Sequence, residues 1–261
     1  MTTFDRATAV EPVSDGVFRG QVSDLFWVQA GPNGGYLTAM ALRAALARVD
    51  EPSRLPRSIH VRFLSPPRAE ACELHTELVR KGKAMTTIAV RMQQAGKTFV
   101  EASACFSEPF SPIAFQDAKR PQARPLALGE AMPKMIPLNH QYDMVRALGD
   151  DFRTSARALT GGYLRFADPR PIDVLALAAL WDAWPPAVFA RAMEQRFRGA
   201  VPTVEASCFF RAPSRVIPAG EHVLIQSESR AAQDGFVEED AELWSDDGVL
   251  LAQSRQLALL M

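Results

Sequence analysis

The sequence predicts an α+β fold: two antiparallel sheets, each curled around one central helix and joined edge to edge into a single long sheet. Three observations carry this reading. Two apolar runs of strong helical propensity, Tyr36–Val49 and Asp173–Trp184, are each followed by four strand-like segments. A proline-rich stretch separates the two sets. The halves also lie over one another: Phe63-Leu64 matches Phe209-Phe210 and Pro67 matches Pro213 at an offset of about 146, and Gly96 matches Gly248 at about 152. A steady offset across a helix and four strands marks an internal duplication.

In chain order, short apolar alternations at Val17–Val22 and Leu25–Val28 suggest a strand pair entering the turn Gly31-Pro32-Asn33-Gly34-Gly35. The run from Tyr36 to Val49 is apolar on almost every side, which calls for a helix wrapped by something. Its span of roughly 21 Å is too short to cross a membrane. Pro52 and Pro56 end it. Strand patterns follow at His60–Leu64, Cys72–Arg80, Met85–Met92 and Phe99–Phe106, broken by glycine or charged turns as in an antiparallel meander. From 107 to 140 the chain carries Pro109, Pro112, Pro121, Pro125, Pro133 and Pro137 with little periodicity, so it reads as an extended connection over the surface. The second half opens with a strand at Gly161–Phe166, then the helix, capped by Asp173 and broken by Pro185-Pro186. Strands at Thr203–Arg211, Glu221–Ser229, Phe236–Ser245 and Leu250–Leu259 complete it, with Gln233-Asp234-Gly235 and Asp246-Asp247-Gly248 as hairpin turns. The expected division is residues 1–108, a linker 109–158, and residues 159–261. A helix that is apolar all round is buried best by curling its sheet about it, and pairing two such sheets removes an exposed edge.

Composition narrows the function classes. A net charge of −1 gives no global field for nucleic acid or membrane surface. The three cysteines are far apart with no CxxC spacing, and the four histidines show no HxxxH spacing, which argues against a disulfide framework or a metal site. The N-terminus lacks an apolar signal core. These features lead us to expect a soluble, cytoplasmic protein.

Asp182 is the most informative single residue, because it follows eight uninterrupted apolar residues. A carboxylate buried there costs several kcal/mol unless it is hydrogen-bonded or paired. The alternative is a helix-end residue that reaches solvent before Pro185. Thr203, which opens one strand, and Gln256, in the last, are polar residues that can join it. Asp, Thr and Gln together can hold a water, the carboxylate taking its proton while hydroxyl and amide fix its orientation. Each of the two is otherwise an ordinary strand residue. The bare N–H groups of Gly34 and Gly35, at the positive end of a helix, suit a polarised carbonyl or an anion, or simply a turn. The run Glu238-Glu239-Asp240 reads as solvated surface.

The order of several short motifs resembles acyl-CoA thioesterase II. Ser58-Ile59-His60-Val61-Arg62-Phe63-Leu64-Ser65-Pro66 is similar to that family's first-half motif. Arg80-Lys81-Gly82-Lys83, Gln94-Ala95-Gly96-Lys97 and Ala102-Ser103-Ala104-Cys105-Phe106 follow in the family's order, and Asn33-Gly34-Gly35 matches the start of its first central helix. In the second half, Ser207–Pro213 and Asp247–Ala252 frame the places of the family's Asp, Thr and Gln, here Asp182, Thr203 and Gln256. The resemblance implies a double hot-dog fold and hydrolysis of a fatty acyl-CoA by an activated water, without metal, cofactor or covalent intermediate. In that scheme Asp182 is the base, Thr203 and Gln256 position the water, and the N–H groups of Gly34 and Gly35 polarise the thioester. His60, at the family's histidine position, either sits beside the thioester or is an exposed strand residue. Arg80-Lys81-Gly82-Lys83 either meets coenzyme A phosphates or is a solvated hairpin tip. The expected partners are acyl-CoA and a second copy in a homodimer, with no nucleic acid and no membrane. One departure is Trp181-Asp182-Ala183-Trp184, where the family often has Ser-Asp-Phe; two tryptophans there can reshape the acyl pocket. Other readings are a non-catalytic acyl-CoA or acyl-carrier binding module, and a hot-dog hydratase. The hydratase would need an Asp–His dyad a few residues apart, whereas the second half has only His222, far from Asp182 in sequence.

Overall fold

A computed structural model describes residues 1–29, 31–149, 155–192 and 199–261. The first half comprises helix α1 (Thr3–Ala7), strands β1 (Val10–Ser14) and β2 (Val17–Gln21), helix α2 (Gly34–Val49), and strands β3 (Leu55–Phe63), β4 (Ala71–Lys81), β5 (Thr86–Gln94) and β6 (Lys97–Ser107). The second half comprises β7 (Tyr142–Leu148), β8 (Ala158–Phe166), helices α3 (Val174–Leu180) and α4 (Val188–Ala192), and strands β9 (Thr203–Phe210), β10 (Val223–Ser229), β11 (Phe236–Trp244) and β12 (Leu250–Leu259). Among the described residues no helix is long and apolar enough to cross a membrane.

One sheet contains all twelve of these strands, in the order β1-β2-β4-β5-β6-β3-β9-β12-β11-β10-β8-β7. Two short strands extend it: Glu130–Ala131 pairs with β7, and Ala232–Gln233 with β11. The halves join where β3 and β9 run antiparallel, with Ile59 opposite Cys208, His60 opposite Ser207 and Val61 opposite Ala206. Side chains alternate across a strand, so Ile59, Val61, Ala206 and Cys208 enter the core while His60 and Arg62 face out. This is the long antiparallel sheet of the double hot-dog expectation.

The helix α2 lies inside its sheet, with ten of its residues buried from Gly35 to Ala45. Its Leu, Met and Tyr side chains contribute roughly 1.5–3 kcal/mol each on full burial. The helix begins at Gly34, two residues before the apolar run, because the Asn33 side chain accepts from Tyr36 N at 3.0 Å and caps it. Its other end is closed by Asp50 in the left-handed conformation, φ 49°. Central helix α3 is shorter than the run Asp173–Trp184 suggests. It ends at Leu180, and residues 181–183 form a turn ahead of Pro185-Pro186.

Two further differences concern the connections. The segment Leu25–Val28 is a single 3-10 turn, Asp24–Phe26, followed by a two-residue strand pairing Trp27–Val28 with Gly31–Pro32. The expected linker 109–158 contains β7, which forms a hairpin with β8, so the second sheet begins inside it. The preceding residues, 109–125, have no regular structure. They are strapped to the second half by Gln116, which bonds Gly248 O at 2.9 Å and accepts from Leu250 N at 2.8 Å.

Candidate active site

Asp182 lies in the turn after α3, where the two central helices meet. Asn33 Nδ2 donates to its Oδ2 and to its carbonyl oxygen, both at 2.8 Å, and Gly35 N–H donates to Oδ2 at 2.9 Å. The carboxylate therefore caps the N-terminus of α2 from the other half of the chain, where the helix dipole favours a negative charge. The glycines make this approach possible. A Cβ on Gly35 would stand 2.3 Å from Ala179 O, and one on Gly34 would stand 3.0 Å from Asp182 Oδ2. Burial raises the Asp182 pKa to about 7, against the pull of the Gly35, Gly34 and Asn33 donors. A carboxylate with a pKa near neutrality can take a proton from water and later return it.

Thr203 lines the same cavity as Asp182, whereas Gln256 is bonded to Thr203 and is not part of that wall. By simple alternation Thr203 would share the outer face of Glu205. A bulge prevents this: Glu205 pairs with Leu257 and Thr203 with Ala258, leaving Val204 as an extra residue. The shift turns Thr203 inward, and its Oγ1 donates to Gln256 Oε1 at 2.5 Å. Gln256 Nε2 in turn donates to Glu239 Oε1 at 3.0 Å, and Ala187 N–H donates to Glu239 Oε2 at 2.5 Å. Glu239 is 6% exposed. Burial lifts its pKa to about 8, reinforced by the negative charge of Asp182.

The cavity that Asp182 and Thr203 line has a volume of about 580 Å³. Asp182, Asn33, Gly34 and Thr203 supply polar atoms to its wall, and Leu37, Phe63, Ile136, Leu138, Phe189 and Leu259 are among its apolar lining. A narrow polar patch in a largely apolar cavity suits an amphiphilic ligand with one reactive polar group. Trp184 also lines it, with its indole held by an Nε1–H bond to Thr160 Oγ1 at 3.1 Å. Trp181 is buried at 2% exposure and is not part of this wall.

The structure rearranges several sequence expectations. His60 is exposed on the outer face of the sheet, where its Nδ1 contacts Ser207 Oγ at 2.7 Å, so it is not beside Asp182. Alternation in β3 decides this, since Ile59 and Val61 take the inner face. The N–H of Gly35 is directed at Asp182 rather than at an open oxyanion position. The tip Arg80-Lys81-Gly82-Lys83 lies at the far end of α2, with Lys81 paired to Glu51 just beyond that helix. At 1.5 Å per residue, that end is about 24 Å from Gly34. Glu239 is not solvated surface, although its neighbours Glu238 and Asp240 do pair with Arg230. The missed signal was the alternation Val237-Glu239-Ala241-Leu243 along β11, which places 239 on the buried side. Asn33 was legible as a helix-start residue type, but its bond to Asp182 was not.

Family models match nearly the whole chain. The acyl-CoA thioesterase N-terminal domain matches residues 24–107, and the acyl-CoA thioesterase C-terminal domain matches residues 115–260. A protein of unknown function with a hot dog fold from Alicyclobacillus acidocaldarius is similar at 27% identity and a TM-score of 0.88, over 100% of this chain and 98% of that one. A candidate thioesterase II from Thermobifida fusca is similar at 26% identity and a TM-score of 0.86, over 100% and 98%. An acyl-CoA thioesterase II from Mycobacterium marinum, at 21% identity and a TM-score of 0.81 over 99% and 98%, shares the fold. No curated protein matches the chain.

Proposed function

The chain belongs to the acyl-CoA thioesterase family, and from that premise we propose that it hydrolyses a fatty acyl-CoA with a water activated by Asp182. The observation that carries the reading is the position of this half-buried carboxylate, at the wall of a largely apolar cavity with Thr203 on the same wall. The acyl chain occupies the apolar cavity, and the thioester carbonyl rests against the polar patch. Asp182 Oδ2 is held by Asn33 and Gly35, and Oδ1 receives the water.

In the reaction the water gives one proton to Asp182 while its oxygen attacks the thioester carbon. The C–S bond then breaks, the sulfur of coenzyme A leaves with the electron pair, and the proton held by Asp182 goes to it. The products are a free acid and a thiol. Thr203 orients the water, and Gln256 acts on it through its bond to Thr203. Gly34, lacking a Cβ, lets the thioester approach Asp182 closely. A hydratase-type dyad has no support here, since His222 packs against Tyr163 and does not line the cavity. The same reading takes the setting as cytoplasmic and the assembly as a homodimer, the latter checked by light scattering.

The test is free thiol release from short to long acyl-CoAs, with wild type beside Asp182→Asn. Turnover by wild type that falls roughly 10²- to 10⁴-fold in the variant is the expected result. Undiminished turnover in the variant would move the base elsewhere.

A further inference from the structure

The hydrogen-bond chain behind Thr203 has a direction, and Glu239 sets it. Both partners of the Glu239 carboxyl are donors: Ala187 N–H on Oε2 and the Gln256 amide on Oε1. Once Glu239 is ionised, above its pKa of about 8, only the NH₂ end of Gln256 can face it, so the Gln256 oxygen turns toward Thr203. The Thr203 hydroxyl then gives its single proton to Gln256 Oε1, at 2.5 Å. What remains on Thr203 Oγ1 is lone pairs, on a residue that lines the Asp182 cavity.

We infer that Glu239, in its carboxylate form, is a positioning residue which fixes the polarity of Gln256 and Thr203, so that Thr203 accepts a hydrogen bond from the catalytic water. The inference rests on the Asp182 water mechanism and deepens it. A water that gives one proton to Asp182 and the other to Thr203 has both O–H bonds committed. Its lone pair is then the only part left to meet the thioester carbon. With a neutral amide at position 239 the chain can run the other way. Gln256 then donates to Thr203, the Thr203 proton swings toward the water, and the water's attacking lone pair is drawn into a hydrogen bond instead. Glu239 also ties this chain to the cavity wall, because Ala187 follows Pro185-Pro186 and precedes Phe189, all of which line the cavity.

The experiment is a double-mutant cycle on full-length protein. Steady-state thiol release from a turned-over acyl-CoA is measured at about pH 9, where Glu239 is ionised, for wild type, Glu239→Gln, Thr203→Val and the double variant, with melting curves for each. Glu239→Gln keeps the side-chain volume. The expected result is a kcat lower by roughly 10- to 100-fold, the scale of one hydrogen bond to a charged group, with KM within about threefold, as for an interaction made only in the transition state. In the Thr203→Val background the same substitution is expected to change kcat by less than about twofold, because the group through which it acts is gone. A wild-type kcat for Glu239→Gln overturns the inference, as does an equal loss in both backgrounds. If Glu239→Gln does not fold, Glu239→Met, which removes the carboxylate at similar volume, replaces it in the cycle under the same criteria. Asp182→Asn separates the two levels. If Asp182→Asn is inactive and Thr203→Val is slow while Glu239→Gln is normal, only the role of Glu239 fails. If Asp182→Asn retains full activity, the water mechanism fails and the role of Glu239 falls with it.

Discussion

Asn33 and Asp182 are 149 positions apart in the chain, yet one Asn33 amide donates to both the carboxylate and the carbonyl oxygen of Asp182, at 2.8 Å each. The same Asn33 caps α2 through Tyr36 N. One side chain thus starts the first central helix and anchors the residue after the second.

Replacing Asn33 by Ala is expected to remove the cap and a donor to Asp182 together. Loss of the cap alone costs about 0.5–2 kcal/mol. The Asn33 donor lowers the Asp182 pKa, so without it that pKa moves above about 7 and the acid limb of kcat/KM shifts to higher pH. A pH–rate profile and a denaturant titration read the two effects separately. An unmoved acid limb would detach Asn33 from the base.

Gly35 and Gly34 are expected to respond differently to Ala. At Gly35 the new Cβ meets the Ala179 carbonyl at 2.3 Å, which is backbone and cannot yield without moving α3 away from α2. The expected loss is at least about 1–3 kcal/mol, the range for overpacking. At Gly34 the nearest atom is Phe63 Cζ at 2.9 Å, the end of a side chain that can turn aside. There the expected loss falls on kcat/KM more than on stability, because the methyl lies against Asp182 Oδ2 at the cavity wall. Chemical denaturation and thiol-release kinetics on the two variants decide this.

Stability is expected to fall as pH rises from about 4 to 8. Burial lifts Asp182 from 3.8 to about 7, so the folded chain keeps a proton that the unfolded chain releases in between. That contribution is fully present below the unfolded pKa and is lost as pH rises through the folded one. Glu239, lifted from 4.5 to about 8, acts in the same sense over a window reaching higher. Urea midpoints at pH 5 and pH 8 should differ in wild type, and Asp182→Asn should narrow the difference. An Asp182→Asn protein with the full wild-type difference would mean that Asp182 does not titrate in this range.

His60→Ala is expected to leave kcat/KM within about twofold and stability within about 0.5 kcal/mol, as for a surface substitution. Its side chain bonds Ser207 Oγ across the β3–β9 seam, on the outer face. A large loss of turnover would place His60 in the chemistry after all.

The sequence by itself determined the plan of the fold. Two apolar helices, two meanders and a constant offset are periodic, local patterns, and burial of such helices leaves few solutions besides a curled sheet around each. It also singled out Asp182, because a charge after eight apolar residues is visible without coordinates, and Thr203 and Gln256 through the order of motifs. Tertiary structure decided which partners these residues have. That Asn33 reaches Asp182 depends on how the central helices meet, a contact across 149 positions with no local signature. Thr203 faces inward because of a one-residue bulge at Val204, which inverts the alternation a reader of the strand would assume. Glu239 was obscured by the charged residues beside it, although neighbours on a strand point to opposite faces and only one of the three enters the core. Periodicity reports which face a residue occupies, whereas register and bulges decide what it meets there.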